Sequence, residues 1–203
     1  MTVHHILFGH SHPKKPKSDF SLLFWFLFII LIFFCALKSF GQACGGEERW
    51  SQKIMTDSIW VNTIPIQISI PELIRITPPA HITNNLLRQE AERQVYSVDC
   101  IVLEYFMEED GDYHLVIAEP SDTTITMIAE IPNPFCESVQ HSKFIQQFTN
   151  ARINFLKYTM KRHQYQRAIY TITGTFFFDK PHRQRGLAPN GAELHPVLSF
   201  QKL

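Results

Sequence analysis

Hydrophobic and polar positions divide this chain into stretches of different rhythm. From Phe20 to Leu37 every residue is apolar or small except Ser21, with Lys14, Lys15 and Lys17 before the run and Lys38 after it. The run approaches the ~20 residues that span a bilayer and exceeds the roughly 7–15 of a signal-peptide core, so it predicts a signal peptide or a transmembrane signal anchor over residues 20–38. The basic flank stays inside and the rest of the chain goes out. Small residues at Gly41 and Ala43 have the spacing of a signal-peptidase site, and cleavage there would give a secreted or periplasmic chain beginning at Cys44. Residues 1–19 read as a basic cytoplasmic tail carrying His4, His5, His10 and His12.

Residues 44–94 are punctuated by prolines and read as an extension with one short helix, where Ser69 and Glu72 form a capping box around Pro71. Residues 84–93 suit a loop or a short helix. From Val95 the pattern becomes that of strands. Tyr96–Met107 predicts a long strand, Asp110-Gly111 a hairpin turn, and Tyr113–Ala118 the partner strand. After a turn at 119–122, Thr123–Ile131 alternates, with Ile125, Met127, Ala129 and Ile131 on one face and Thr126, Ile128 and Glu130 on the other. A single helix follows: Ser142 can cap it, and Phe144, Ile145, Phe148, Ala151, Phe155 and Leu156 form one stripe. Ala168–Asp179 is the fourth strand, with Gly174 at a bulge or close approach. Asn190-Gly191 is a tight turn, and Leu194–Phe200 is the fifth strand, with Pro196 on an edge or at a bulge.

Residues 95–203 therefore predict a mainly β fold with one principal helix, in the order strand-strand-strand-helix-strand-strand. That is the order of a small OB-like five-stranded barrel, which binds ligands between its first and last hairpin loops, here 108–112 and 180–192. A different small barrel or an α+β roll explains the same pattern.

Cysteine usage fits export. Cys35 lies in the hydrophobic run, and Cys100 sits among apolar residues as a core position, which leaves Cys44 and Cys136 as the expected disulfide. The chain has no net charge, yet every Asp, Glu, Lys or Arg from Asp99 to Glu137 is an acid, and from Lys143 to Arg185 only Asp179 is. Such polarity can place a cation-holding region beside an anion-holding one, although complementary halves of a fold more often pair with each other.

The residues Cys44-Gly45-Gly46-Glu47-Glu48-Arg49-Trp50, Gly111 to Val116, Met127 to Pro132, Ala151-Arg152, and Phe177-Phe178-Asp179 through His182 to the Ala-Pro-Asn-Gly-Ala-Glu-Leu-His-Pro-Val-Leu run at 188–198 resemble a family of small secreted bacterial proteins. The resemblance implies export and a domain from Cys44 to the C-terminus. It implies no reaction. The family pattern has Gly and Thr where Arg183 and Arg185 stand, so a role for these arginines would be particular to this chain.

Candidate chemistry is confined to a few positions. Tyr113, His114, His182, Arg183 and Arg185 would offer aromatic and basic groups at the barrel mouth for an anionic polymer, nucleic acid or glycan. Glu130, Glu193 and His195 are polar residues on otherwise apolar strands and are candidate ligands for a divalent metal ion. With Glu130 or His195 as base and Arg152 on the phosphate, they would suit a metal-dependent phosphodiesterase or nuclease. A structural interaction domain in the cell envelope, tethered to the membrane through residues 20–38, is the third reading. No Gly-x-Ser-x-Gly elbow, P-loop or dinucleotide fingerprint is present, which argues against the enzyme classes built on them. Whether the chain is an enzyme stays open at this point.

Overall fold

In a computed structural model of the chain, residues 45, 48–159, 168–180 and 184–203 are described, all within one compact unit, Gln42–Leu203. The hydrophobic run at 20–38, Cys44, His182 and Arg183 lie outside the described residues. Among the described residues no helix is long and apolar enough to cross a membrane.

The unit is mainly β. Its elements are α1 (Trp50–Lys53), β1 (Asn62–Gln67), α2 (Ile70–Leu73), β2 (Gln94–Met107), β3 (Tyr113–Glu119), β4 (Asp122–Ile131), α3 (Glu137–Gln140), α4 (Ile145–Thr159), β5 (Ile169–Phe178) and β6 (Ala192–Lys202). All six strands form one sheet in the order β1-β2-β3-β4-β6-β5, and a further pairing of β2 with β5 closes β2 to β6 into a ring. Pairings within the ring are antiparallel except β4 with β6. The five strands expected from the alternation are thus present in the expected order around the single long helix. The sixth, β1, was not expected. It runs parallel to β2 on the open side, and every one of its residues is exposed, so its sequence carries no burial pattern to reveal it.

The local signals act as the sequence implies. Glu72 Oε2 accepts hydrogen bonds from the Ser69 backbone N–H at 3.0 Å and from Ser69 Oγ at 2.6 Å, and these hold the first turn of α2. Gly111 and Gly191 turn with φ of +86° and +72°, a region that L-residues rarely adopt. Gly174 sits where β5 and β6 shift register, and a Cβ there would stand 2.8 Å from the carbonyl oxygen of Pro196, so the bulge at Pro196 requires a glycine opposite. Ser142 Oγ accepts from the Phe144 N–H at 3.2 Å just before α4 begins.

The interior of the ring is dry. Leu115, Ile117, Met127, Ala129, Tyr170, Phe176, Leu194 and Phe200 meet there, closed at one end by Phe155 of α4. Tyr105 and Phe200 meet the Phe155 ring edge-on, at centroid distances of 5.0 and 5.4 Å. A second, smaller apolar cluster of Ile54, Cys136, Val139 and Phe148, with Trp50 and Leu198 against it, fastens the N-terminal segment to the outside of the ring. Cys100 is fully buried in the main core, as expected. Cys136 carries a free thiol in the small cluster, 3.3 Å from Ser138 Oγ, so the expected Cys44–Cys136 disulfide is not formed in this structure. Its apolar surroundings account for a buried cysteine without a bridge.

Candidate metal centre

Strand register assembles the site. β3 sets His114 opposite Glu130 of β4, and the parallel pairing of β4 with β6 aligns Ile128 with Glu193 and Ala129 with Leu194, which carries His195 to the side of Glu130. His114, Glu130, Glu193 and His195 all project from the outer face of the ring, opposite Leu115, Ala129 and Leu194. On an ordinary sheet that face would be wet. Here residues 48–60 cover it, and relative exposures fall to 0% for His114 and Glu193, 2% for His195 and 5% for Glu130.

The hairpin loop between β2 and β3 brings in two more carboxylates. Glu108 N–H donates to the Asp112 carbonyl at 2.9 Å, and Asp112 N–H donates to Asp110 Oδ1 at 3.0 Å. Asn133 ties the loop down: its backbone N–H donates to Asp112 Oδ1 at 2.7 Å and its side-chain amide to the Asp110 carbonyl at 3.1 Å. Arg152 of α4 donates to the Gly111 carbonyl at 2.8 Å with its guanidinium 4.1 Å over the Tyr113 ring.

Two overlapping groups of donors result, Glu108 with His114 and Glu130, and Asp112 with Glu130 and His195, each with its ligand atoms within 4.8 Å of one another. His114 Nδ1 is 3.0 Å from Glu130 Oε1 and 3.2 Å from Glu108 Oε1. His195 Nδ1 is 2.8 Å from Glu130 Oε2 and 3.9 Å from Glu193 Oε2. His195 is therefore ion-paired through Nδ1 alone: its Nε2 has no hydrogen-bond partner, and Glu193 approaches it only at ion-pair distance. Buried polar groups left this way are rare, and each carries a cost of about 1–3 kcal/mol. Phe106 stacks on His114 at 4.4 Å and Phe177 flanks His195 at 5.7 Å, so each imidazole lies against one aromatic ring.

Electrostatics within the cluster are strong because water is excluded. Burial alone would lower the pKa of His114, but Glu108 and Glu130 push it up to about 9. For His195 burial is likewise outweighed, by Glu130 and Glu193, and the pKa rises to about 10. Burial would raise Glu130, yet His195 and His114 bring it well below the usual carboxylate range. Asp112 and Glu193 are each pushed up to about 7, first by burial and then by the acids around them, Asp110 for the former and Glu130 for the latter. Lys53 of α1 lies 3.7 Å from Asp179 at the rim of the same region.

Beside the cluster, a conventional buried ion pair locks the covering segment in place. Arg49 meets Glu92 through two bonds of 2.7 and 2.8 Å and donates to the Phe178 carbonyl at 2.9 Å, while Glu92 Oε1 accepts from the Phe178 N–H at 2.9 Å. Every charge in this pair is answered, so it needs no ligand.

The structure therefore brings together three residues singled out in the sequence, Glu130, Glu193 and His195, and adds His114, which belongs to the cluster and not to a surface mouth. Tyr113 is half-buried under Arg152, and Arg152 is engaged with the hairpin. Arg185 is exposed and pairs with Glu104 at 2.8 Å. Sequence reading missed Glu108 and Asp112 as donors. Their acidic turn was visible, but the fact that it folds back over β4 depends on Asn133, which no local pattern reveals. A shallow groove of about 530 Å³ lined by Gly45, Phe106, Met107, Glu108, Glu109 and Asp110 lies at the Glu108 side of the cluster. Comparison with protein-family models, curated proteins and solved structures finds no match to this chain.

Proposed function

We propose that this chain is an exported or membrane-anchored module, an OB-like barrel, that binds a divalent transition-metal ion in a carboxylate–imidazole centre on its outer face. The ring order with its one parallel pair, and the long helix between the third and fourth ring strands, support the OB-like reading. The hydrophobic run at 20–38 supports export and a membrane partner. The observation that carries the metal reading is the buried convergence of Asp112, Glu130 and His195, with His195 2% exposed, its Nδ1 2.8 Å from Glu130 Oε2 and its Nε2 without a hydrogen-bond partner.

Two ligand atoms bound to one first-row metal at about 2.1 Å each and at right angles stand about 3.0 Å apart. The nitrogen-to-oxygen spacings at Glu130, 2.8 and 3.0 Å, and the 3.2 Å between His114 and Glu108 match such a pair. Mixed carboxylate and imidazole donors without sulfur favour manganese, iron or zinc over calcium or copper(I). Burial of Glu130 and His195 under residues 48–60 supports a closed centre that fastens the covering segment, the arrangement of structural metal sites, over an open hydrolytic one. Thermal unfolding of the full chain in detergent, after chelation and then with Mn²⁺ or Zn²⁺ added, tests this. A metal-dependent rise in Tm that is absent in Glu130→Gln is expected; an equal rise in that isosteric variant, or none in the unsubstituted chain, contradicts the reading.

A further inference from the structure

The geometry points to a centre of two divalent ions bridged by the Glu130 carboxylate, the first held by Glu108 and His114 and the second by Asp112 and His195. This inference rests on the metal-binding reading and deepens it. The two oxygens of Glu130 face different imidazoles: Oε1 lies 3.0 Å from His114 Nδ1 and Oε2 lies 2.8 Å from His195 Nδ1. Each of the two donor groups contains a second carboxylate, Glu108 in one and Asp112 in the other, and the groups share Glu130 alone. A carboxylate that bridges through both oxygens holds two ions about 3.5–4 Å apart, the separation common to two-metal sites.

The number of acids accommodates two ions. Lys53 answers Asp179 at 3.7 Å, which leaves Glu108, Asp112, Glu130 and Glu193 around the two imidazoles. Four carboxylates give anionic donors enough for two divalent ions, in a region whose acids are 5% exposed or less apart from Glu108. Glu193, fully buried and with neither oxygen in a hydrogen bond, lies 3.9 Å from His195 Nδ1, beside the place of the second ion. His195 Nε2 and the Glu193 oxygens, buried and without a hydrogen-bond partner, are the independent sign that the cluster is built for a ligand and is not merely acidic. Glu108, the one partly exposed donor, gives the first ion an outlet toward the groove at Phe106 and Asp110.

The test uses the full chain in detergent with His4, His5, His10 and His12 replaced by alanine, so that the tail contributes no ions. The protein is stripped with chelator, reloaded with Mn²⁺, desalted, and assayed for metal content and by electron paramagnetic resonance. Two Mn²⁺ per chain with an exchange-coupled spectrum are expected. Glu108→Gln, at a partly exposed loop position that the fold tolerates, is expected to keep one ion and show the six-line signal of isolated Mn²⁺, and Asp112→Asn to behave likewise. One ion in the unsubstituted chain, or two without coupling, overturns the bridge and leaves the metal-binding reading standing. No retained ion removes both.

Discussion

The two faces of β3, β4 and β6 are equally dry and differ completely in chemistry. Leu115, Ala129 and Leu194 point into the ring and meet other apolar side chains, while their neighbours His114, Glu130, Glu193 and His195 point outward and are buried against each other. The inner face is explained by the hydrophobic effect alone. The outer face is not: burying carboxylates and imidazoles costs free energy unless each is paired, and several atoms there have no partner. The contrast teaches that the inner face specifies the fold and the outer face is shaped around something else. The Arg49–Glu92 pair sharpens the point, since it is just as buried as the cluster but fully satisfied.

The comparison breaks most decisively at two positions. Phe155→Ala, at the closed end of the ring, and Arg49→Ala, which strands Glu92 among backbone N–H groups, are each expected to lower the unfolding free energy by about 3–5 kcal/mol in urea denaturation. Neither effect is expected to depend on metal. A loss under about 1 kcal/mol at Arg49 would mean that the covering segment is not held by that pair.

A smaller effect of opposite sign is expected at Glu193. Its carboxyl is raised to about 7 by burial, so in the metal-free protein its ionised form is the unfavourable one. Glu193→Gln therefore raises the Tm of the stripped protein above pH 7, leaves it little changed at pH 4, and weakens metal stabilisation. A fall in Tm at pH 8 without metal would show that the carboxylate is already paired.

The histidines give the stripped protein a pH dependence of known sign. Their folded pKa values of about 9 and about 10 lie above the ordinary 6.5, so the folded state holds protons that the unfolded state has released between about pH 6.5 and pH 10. The stability they contribute is fully present below pH 6.5 and is lost as pH rises through 9 to 10. Thermal melts across that range are expected to show a steady decline, and His195→Ala to flatten it. A Tm independent of pH in that window would be inconsistent with the ion pairs around Glu130.

The smallest change is expected at the surface. Arg185→Ala removes an exposed pair with Glu104, whose partners are 79% and 39% exposed, and should move stability by less than about 0.5 kcal/mol.

Much of the inner face is legible in the sequence because alternation and helical periodicity report burial against a single apolar core. Ile172, Phe176 and Phe178 on β5, and Ala151 and Phe155 on α4, fall where their spacing puts them, whereas Phe148 of the same helical stripe packs in the second cluster outside the ring. The outer face is legible only in part. Glu130, Glu193 and His195 stand out as polar residues within apolar strands, but alternation treats an outward polar residue as solvated, and nothing local says that residues 48–60 will cover it. Strand β1 is hidden for the opposite reason: Ile64 and Ile66 are apolar yet exposed, and parallel pairing to a distant strand leaves no hairpin signal. Asp112 enters the site through Asn133, 21 positions away and beyond the reach of any turn rule, whereas Glu108 meets His114 across its own hairpin.

The centre itself is tested most directly by X-ray absorption at the metal edge of the full chain loaded with Mn²⁺ or Zn²⁺. Nitrogen and oxygen neighbours at about 2.0–2.2 Å, with the outer-shell scattering of imidazole that His114→Ala and His195→Ala each diminish, are expected. A shell of oxygen alone, a sulfur neighbour near 2.3 Å, or an imidazole signal unchanged by both substitutions would place the metal elsewhere and contradict the proposed centre.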